Sequence, residues 1–318
     1  MLTICCIYIL LTLSGCNESP EEHPDPQLLF SFGVVADVQY ADIPNSGNRH
    51  YRSSFENLAK AVDELNSYDL SFVVSLGDLI EKDFKSYDDI LPVFNKLKGQ
   101  KYVVLGNHEF SVVPEKKNAV PAKLELESRY YSFSKKGWRF VFLDGQDLSV
   151  MANQQESEAY QRSQKMLDSL KKAGGKNAQT WNGGLSKKQL SWLKNQIAEA
   201  DKQNEKVAIF CHFPIYPEGS RHNLWNDQEV LNIIRKYDNV ELYMNGHNHA
   251  GGDVIYNGTY YLTLKGMVEN PKSSTFAVGH VYRDFIVLDG KGNEYDRIIL
   301  VTEAGKLSFI DQGILQPP

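Results

Sequence analysis

Five short apolar runs recur along the chain, and each stops at a residue able to bind a metal ion or move a proton. The runs are residues 29–36, 70–76, 102–105, 207–211 and 240–244, rich in the Val, Ile, Phe and Tyr that suit buried strands. The residues that follow them are Asp37 and Gln39, Asp78, Asn107 and His108, His212, and finally His247 and His249. In α/β sheets, ligands collect beyond the carboxyl ends of the strands. Five separated segments can therefore deliver their last residues to one place. Between the first two runs, residues 51–68 set Phe55, Leu58, Ala59, Val62 and Leu65 on one helical face, with Ser53 and Glu56 at capping-box spacing. A second helix is predicted around residues 87–97, which makes strand, ligand loop, helix the repeating unit of a first βαβ half.

Phe140 to Leu143 reads as a further strand, followed by a helix over residues 156–172 that stops at Gly174. Asn182-Gly183-Gly184 precedes a second capping box, Ser186 to Gln189, and a helix carrying Leu190, Leu193 and Ile197. A second half begins at Val207. Past His249 the chain turns strand-rich, with a hairpin at Asn257-Gly258 and strands near residues 260–264, 285–288 and 297–301. With 318 residues, 42% of them apolar, a full core is within reach, and no domain boundary shows after residue 28. A formal net charge of −6 without an extended basic run argues against nucleic acid as a partner.

Residues 1–13 are nearly continuously apolar, about the length of a signal-peptide core and short for a membrane span. Leu13-Ser14-Gly15-Cys16 follows and resembles the lipobox of bacterial lipoproteins, in which cleavage before the cysteine leaves it lipidated. The expected organisation is a lipoprotein signal peptide at 1–15, an acidic tether at 16–27 and the metal-binding domain at 28–318. Such a protein is extracytoplasmic, facing the periplasm or the cell surface, and held to a membrane through a lipid anchor at Cys16. Cys5 and Cys6 would leave with the signal, so Cys211 would remain alone and no intramolecular disulfide could form.

Taken singly, the strand-end residues are weak signals, since an Asp or Gly-Asp after a strand is usually a turn. In Asp37-Val38-Gln39, residues two apart in an extended segment point the same way and could reach one ion. Asp78 has two oxygens with which to bridge two cations. In Gly106-Asn107-His108-Glu109 the Asn amide oxygen can ligate a hard cation while His108 stays available as a proton donor. Glu109 reads as a supporting residue. Gly246-His247-Asn248-His249 places two imidazoles on a glycine-flanked turn, and His212 ends a strand just before Phe213-Pro214. Together they offer carboxylate, amide and imidazole without thiolate, which suits two divalent ions such as Mn²⁺ or Fe, with Mg²⁺ possible.

The short motifs DVQ, GD, GNHE, a lone His and GHNH resemble those of the calcineurin-like metallophosphoesterase superfamily. Longer segments, LFSFGVVADVQYAD, LGDLIE, GNHEF, RFVFLDGQDLSV, NGGLSKKQLSWL, EKVAIFCHFPIYP and GHNHAGG, are similar to its manganese-dependent ADP-ribose/CDP-alcohol diphosphatase family over roughly residues 29–285. The resemblance implies an α/β sandwich of two mixed β-sheets flanked by helices, with the metal site at the carboxyl ends of the strands. It also implies one ion held by Asp37, Gln39, Asp78 and His249, another by Asp78, Asn107, His212 and His247, and His108 facing the leaving group. Two ions ~3.5–4 Å apart polarise phosphoryl oxygens and acidify a bound water. The expected reaction is attack by metal-bound hydroxide on the diphosphate of ADP-ribose, a CDP-alcohol or a related conjugate, giving a nucleoside monophosphate and a phosphorylated product.

Two alternatives stay open: a phosphomonoesterase or cyclic-nucleotide phosphodiesterase using the same ions, and a surface binding lipoprotein that catalyses nothing. Substrate contacts are expected at His50, Tyr51, Arg52, Asn182 and Tyr216. Substrate preference is expected in loops 41–52 and 218–227, where the chain departs from the family pattern. Asp144 also ends a strand but is expected to be structural.

Overall fold

The computed structural model describes residues 27–301. The expected signal peptide, Cys16, nearly all of the tether and residues 302–318 lie outside the described residues. In chain order the strands are β1 (Leu28–Val35), β2 (Phe72–Ser75), β3 (Gln100–Val103), β4 (Tyr131–Lys135), β5 (Trp138–Phe142) and β6 (Lys206–Phe210). There follow β7 (Val240–Asn245), β8 (Gly252–Tyr256), β9 (Thr259–Thr263), β10 (Phe276–Tyr282), β11 (Phe285–Lys291) and β12 (Arg297–Leu300). The helices are α1 (Ser53–Leu65), α2 (Ser86–Phe94), α3 (Pro114–Lys117), α4 (Val120–Lys123), α5 (Glu158–Lys172), α6 (Lys187–Lys202) and α7 (Asp227–Ile234). None is long and apolar enough to cross a membrane.

The strands form two six-stranded mixed sheets, β12-β11-β10-β1-β2-β3 and β4-β5-β6-β7-β9-β8. In the first, β1, β2 and β3 are parallel, and β10 to β12 extend the other side as antiparallel neighbours. In the second, β5, β6, β7 and β9 are parallel between antiparallel edge strands. Side-chain alternation sorts the layers. From β1, Phe30, Phe32 and Val34 enter the core between the sheets, while Val35 joins the helix-covered side. From β6, Ala208 and Phe210 face inward and Val207 and Ile209 outward. With both faces covered, the central strands read as largely apolar runs.

The two sheets meet through aromatic edges and faces: Phe72 lies 5.0 Å from Phe140 and Phe32 6.3 Å from Phe210, both edge-on. Such pairs favour one relative placement of the layers. Helices α1 and α2 cover the first sheet with Leu58, Val62, Ile90 and Phe94, and α6 and α7 cover the second with Leu193, Ile197, Val230 and Leu231.

Three local expectations change. Ser53 does not cap α1: the chain enters the helix from a turn at His50, whose carbonyl accepts the Ser54 N–H, so Ser53 is already inside. Ser186 does cap α6, accepting the Gln189 N–H at 3.3 Å, but the Gln189 side chain turns to the Asp144 backbone instead of back to Ser186. Strand β10 has no counterpart among the predicted strands, because Gly279 and His280 interrupt its apolar pattern, yet it pairs with β1.

Candidate functional site

The carboxyl ends of β1, β2, β3, β6 and β7 converge where the two sheets meet. His249 Nε2 lies 3.3 Å from Asp37 Oδ1 and 3.2 Å from Gln39 Nε2. Gln39 Nε2 in turn donates to Asp78 Oδ2 at 3.3 Å. On the other side of Asp78, the same Oδ2 is 3.2 Å from His212 Nε2, which is 3.1 Å from His247 Nδ1. Ligand atoms of Asp78, His212 and His247 all lie within 4.8 Å of one another. Asp78 therefore stands between two clusters, one with Asp37, Gln39 and His249 and one with His212 and His247. The oxygen-bearing members follow strands of the first sheet, and all three imidazoles follow strands of the second.

Asp37 and Gln39 reach the site by a route other than the expected extended segment. Strand β1 has ended at Val35, and Asp37, Gln39, Asp78 and His247 have φ of 50°, 46°, 58° and 67°. These are four of the nine non-glycine residues with positive φ among those described, a region that side chains disfavour and that clusters at functional sites. Cross-loop bonds hold it: Gln39 N–H donates to Asp78 O at 2.8 Å, Asp37 N–H to Gly77 O at 3.1 Å and Val268 N–H to Asp37 O at 3.1 Å. Two glycines make room for the carboxylates. A Cβ on Gly106 would lie 2.1 Å from Asp78 Oδ1, and one on Gly246 would lie 2.5 Å from Asp37 Oδ2.

Glu109, fully buried, accepts the N–H groups of Asp78, Leu79 and Gly106, each at 2.7 Å. It thereby joins the turn after β2 to the turn after β3. Burial and the neighbouring Asp78 charge push its pKa up to about 8, while the Asp78 and Leu79 N–H groups and His212 act in the other direction. Three donors converge on the carboxylate, and that arrangement accommodates its ionised form.

Each imidazole is tied at its far nitrogen. His212 Nδ1–H donates to Leu76 O at 2.7 Å, His249 Nδ1–H to Glu269 Oε1 at 2.7 Å, and His247 Nε2 is 3.0 Å from Asn182 Oδ1. Such outer partners set which ring nitrogen faces inward. Burial opposes ionisation of Asp78, but His212 and His108 outweigh it and hold the carboxylate below its usual range. Burial and the charge of His212 drive His247 well below the ordinary histidine value, so it is a neutral imidazole. His108 donates its backbone N–H to Asp78 Oδ1 at 2.8 Å, and its Nδ1 is 2.8 Å from Glu81 O and 3.2 Å from Glu81 Oε2.

Six buried amide oxygens among the described residues have no hydrogen-bond partner, and two of them, Gln39 Oε1 and Asn107 Oδ1, belong to residues named as ligands. A buried acceptor left unpaired costs ~1–3 kcal/mol, and these two fall in the two ligand sets expected on either side of Asp78. Carboxylate, amide oxygen and neutral imidazole together suit a pair of divalent ions.

The expected substrate contacts fare differently. Tyr51 is only 4% exposed and packs with Ala41 and Val268, so it offers substrate no surface. Arg52 is exposed but pairs with Asp42 at 2.5 Å. Tyr216, half-buried, stacks face to face on Tyr256 at 4.5 Å, so one face of its ring is taken. Asn182 is fully buried on His247 and cannot meet substrate. His50 stays partly exposed, 3.1 Å from Asn45. Beside His249 opens a cavity of about 690 Å³ lined by Asn48, Lys265, Glu269 and Tyr295, within the usual range for a small-molecule site.

Asp144 is structural as expected, bridged to Arg129 at 2.7 Å. The lone described cysteine, Cys211, is buried, and burial pushes its thiol up to about 11. Glu81 and Glu269 escaped the sequence reading. Glu81 had one available signal, its position three residues after Asp78, and Glu269 had none.

A family model described as calcineurin-like phosphoesterase matches residues 30–251. The chain is 30% identical to the Homo sapiens manganese-dependent ADP-ribose/CDP-alcohol diphosphatase, over 88% of this chain and 97% of that protein. It is 33% identical to the enzyme of the same name from Oryza sativa subsp. japonica, over 84% and 93% of the two chains. Among solved structures, a dimetal phosphatase from Danio rerio superposes with a TM-score of 0.79 at 29% identity, covering 87% of this chain and 100% of that one. Likeness of this extent, on a fold that gathers the motif residues at one seam, makes the chain a member of the calcineurin-like phosphoesterases, in the manganese-dependent ADP-ribose/CDP-alcohol diphosphatase family.

Proposed function

We propose that this chain hydrolyses the diphosphate link of a nucleoside diphosphate conjugate such as ADP-ribose or a CDP-alcohol, with two divalent ions, Mn²⁺ foremost, as cofactor. The products are a nucleoside monophosphate and a phosphorylated remainder. What carries this is the place of the Asp78 carboxylate between the Gln39–His249–Asp37 cluster and the His212–His247 cluster, beside which the buried Gln39 Oε1 and Asn107 Oδ1 have no protein partner. The names of the relatives support the substrate class. Asp37, Gln39, Asp78 and His249 hold one ion; Asp78, Asn107, His212 and His247 hold the other. Bound there, the ions supply Lewis acidity toward phosphoryl oxygens and toward water.

His108 moves the proton. Glu81 receives its Nδ1–H and so orients the ring, which leaves Nε2 to give a proton to the departing phosphate oxygen. The cavity beside His249 is wide enough for the remainder of the conjugate. Product analysis tests the proposal: ADP-ribose with Mn²⁺ yields AMP and ribose 5-phosphate in equal amounts. Free phosphate released from AMP, or cyclic nucleotides consumed while ADP-ribose persists, would replace it with a monoesterase or a cyclic phosphodiesterase.

The proposal extends to location. Residues 1–15 act as a signal peptide, Cys16 carries lipid, residues 16–27 tether and residues 28–318 form the hydrolase domain, anchored to a bacterial membrane outside the cytoplasm and facing the periplasm or the cell surface. The Leu-Ser-Gly-Cys sequence behind an apolar stretch supports this. An enzyme so placed acts on external nucleotide conjugates. Incorporation of labelled fatty acid, lost in Cys16→Ser with hydrolysis intact, is the expected result; labelling that persists in Cys16→Ser refutes the anchor.

A further inference from the structure

We infer that Asn182 is a positioning residue for the metal centre, holding His247 in the tautomer that leaves Nδ1 free to bind an ion. The inference rests on the proposed ligand set of Asp78, Asn107, His212 and His247.

The two ends of the Asn182 amide are distinguished by their neighbours. One terminal atom lies 3.0 Å from Asn177 O and 2.8 Å from Arg221 O. Backbone carbonyls only accept, so that atom is the NH₂ nitrogen, and a flipped amide would set oxygen against two oxygens. The remaining atom, Oδ1, is then the one 3.0 Å from His247 Nε2. An amide oxygen cannot donate, so Nε2 carries the hydrogen. In a neutral imidazole the lone pair then falls on Nδ1, the nitrogen 3.1 Å from His212 Nε2 inside the ligand cluster.

The surroundings keep this arrangement in place. Asn182 is fully buried, so bulk water does not compete for the bond. Phe213 stands edge-on to the His247 ring at 4.6 Å and Trp181 lies 5.1 Å away, which limits ring rotation. The carbonyls that orient Asn182 belong to two loops, one between α5 and α6 and one between β6 and α7. Those loops are bound to each other: Asn177 Nδ2 donates to Leu224 O at 2.7 Å, and Trp225 N–H donates to Gly183 O at 2.8 Å. Asn182 gives this knot its hydrogen bond to the cluster. The far nitrogens of the other two imidazoles meet different groups, a strand-end carbonyl at His212 and a carboxylate at His249.

The test compares wild type, Asn182→Ala and Asn177→Ala. Asn177→Ala cuts the tie to Leu224 without removing the acceptor at His247, and so reports what a loosened loop does alone. In metal-free protein, ¹⁵N-edited spectra of the histidine rings should show His247 protonated at Nε2 in wild type and in Asn177→Ala, with mixed tautomers in Asn182→Ala. In Mn²⁺ titrations followed by calorimetry and electron paramagnetic resonance, Asn182→Ala should bind one of its two ions ~10–100-fold more weakly, while Asn177→Ala keeps both. Wild-type His247 protonated at Nδ1, equal affinities in wild type and Asn182→Ala, or equal losses in the two variants would each overturn the inference. A wild type that takes up only one ion would instead refute the two-ion proposal, and the ring spectra would then judge the Asn182 bond separately.

Discussion

Glu109→Gln probes how the oxygen ligands are held in place. The wild-type carboxylate takes three N–H donors at 2.7 Å, with Oε2 serving Asp78 and Gly106 and Oε1 serving Leu79. Glutamine preserves the volume and removes the charge. Its amide oxygen can keep the two-donor side, but its NH₂ group then faces the Leu79 N–H, donor against donor. One charge-assisted bond is lost, worth ~1.5–3 kcal/mol, and buried donors are left unpaired at ~1–3 kcal/mol. The sum is about 2.5–6 kcal/mol, a large share of the ~5–15 kcal/mol that holds a domain folded. Urea unfolding in chelator should show a lower midpoint at unchanged slope, and Mn²⁺ affinity should fall because the turn bearing Asp78 hangs on Glu109. A variant within ~0.5 kcal/mol of wild type, the spread of an ordinary surface substitution, would mean that the carboxyl is already protonated in the fold, as its burial favours. The ionised assignment would then be refuted.

Replacing His108 with Ala should lower kcat by ~10²–10⁴-fold, the usual contribution of a positioned proton donor, with Mn²⁺ stoichiometry unchanged; a loss of bound metal would contradict its place outside the ligand sets. Gly106→Ala would press a Cβ to within 2.1 Å of Asp78 Oδ1, and since Asp78 is shared, calorimetry should show both ions weakened together. Asp144 is raised from 3.8 to about 6 by burial, against the opposing charge of Arg129. An acid whose pKa is higher in the folded state binds more protons there between those two values, so stability is full below the lower one and falls as pH rises through the upper. Asp144→Asn should flatten that slope, which at ~1.4 kcal/mol per pKa unit amounts to about 3 kcal/mol; an unchanged pH dependence of the urea midpoint would assign it elsewhere.

The strand ends were legible because burial on both faces makes β1, β2, β6 and β7 mostly apolar, with few polar residues such as Ser31 and Glu241 inside them, and the chemistry begins where that pattern stops. The parallel β1-α1-β2-α2-β3 unit followed from the same contrast of periods. The backbone at the site was not legible. Left-handed Asp37, Gln39 and His247 are held by bonds across loops, and nothing in a local sequence window favours that conformation for those side chains. Nor was the outer shell: Asn182 meets His247, and Glu269 meets His249, only through tertiary contact. Loop residues judged by type alone show the same limit, since the packing of Tyr51 against Ala41 and Val268 and of Tyr216 against Tyr256 is set by tertiary contact.

The way the sandwich divides its donors has a consequence for cation choice. The first sheet offers oxygen alone, from Asp37, Gln39, Asp78 and Asn107, a hard set that by itself suits Mg²⁺ or Ca²⁺. The second offers imidazole alone, from His212, His247 and His249, which by itself suits Zn²⁺ or Cu²⁺. The mixed donor set exists only where the layers close on each other. Selectivity is therefore written partly in the core, in edge-on contacts such as Phe72 with Phe140 and Phe32 with Phe210 that set the registry of one sheet on the other. A core substitution that let the sheets slide would change which cation the protein prefers before it stopped the protein from folding.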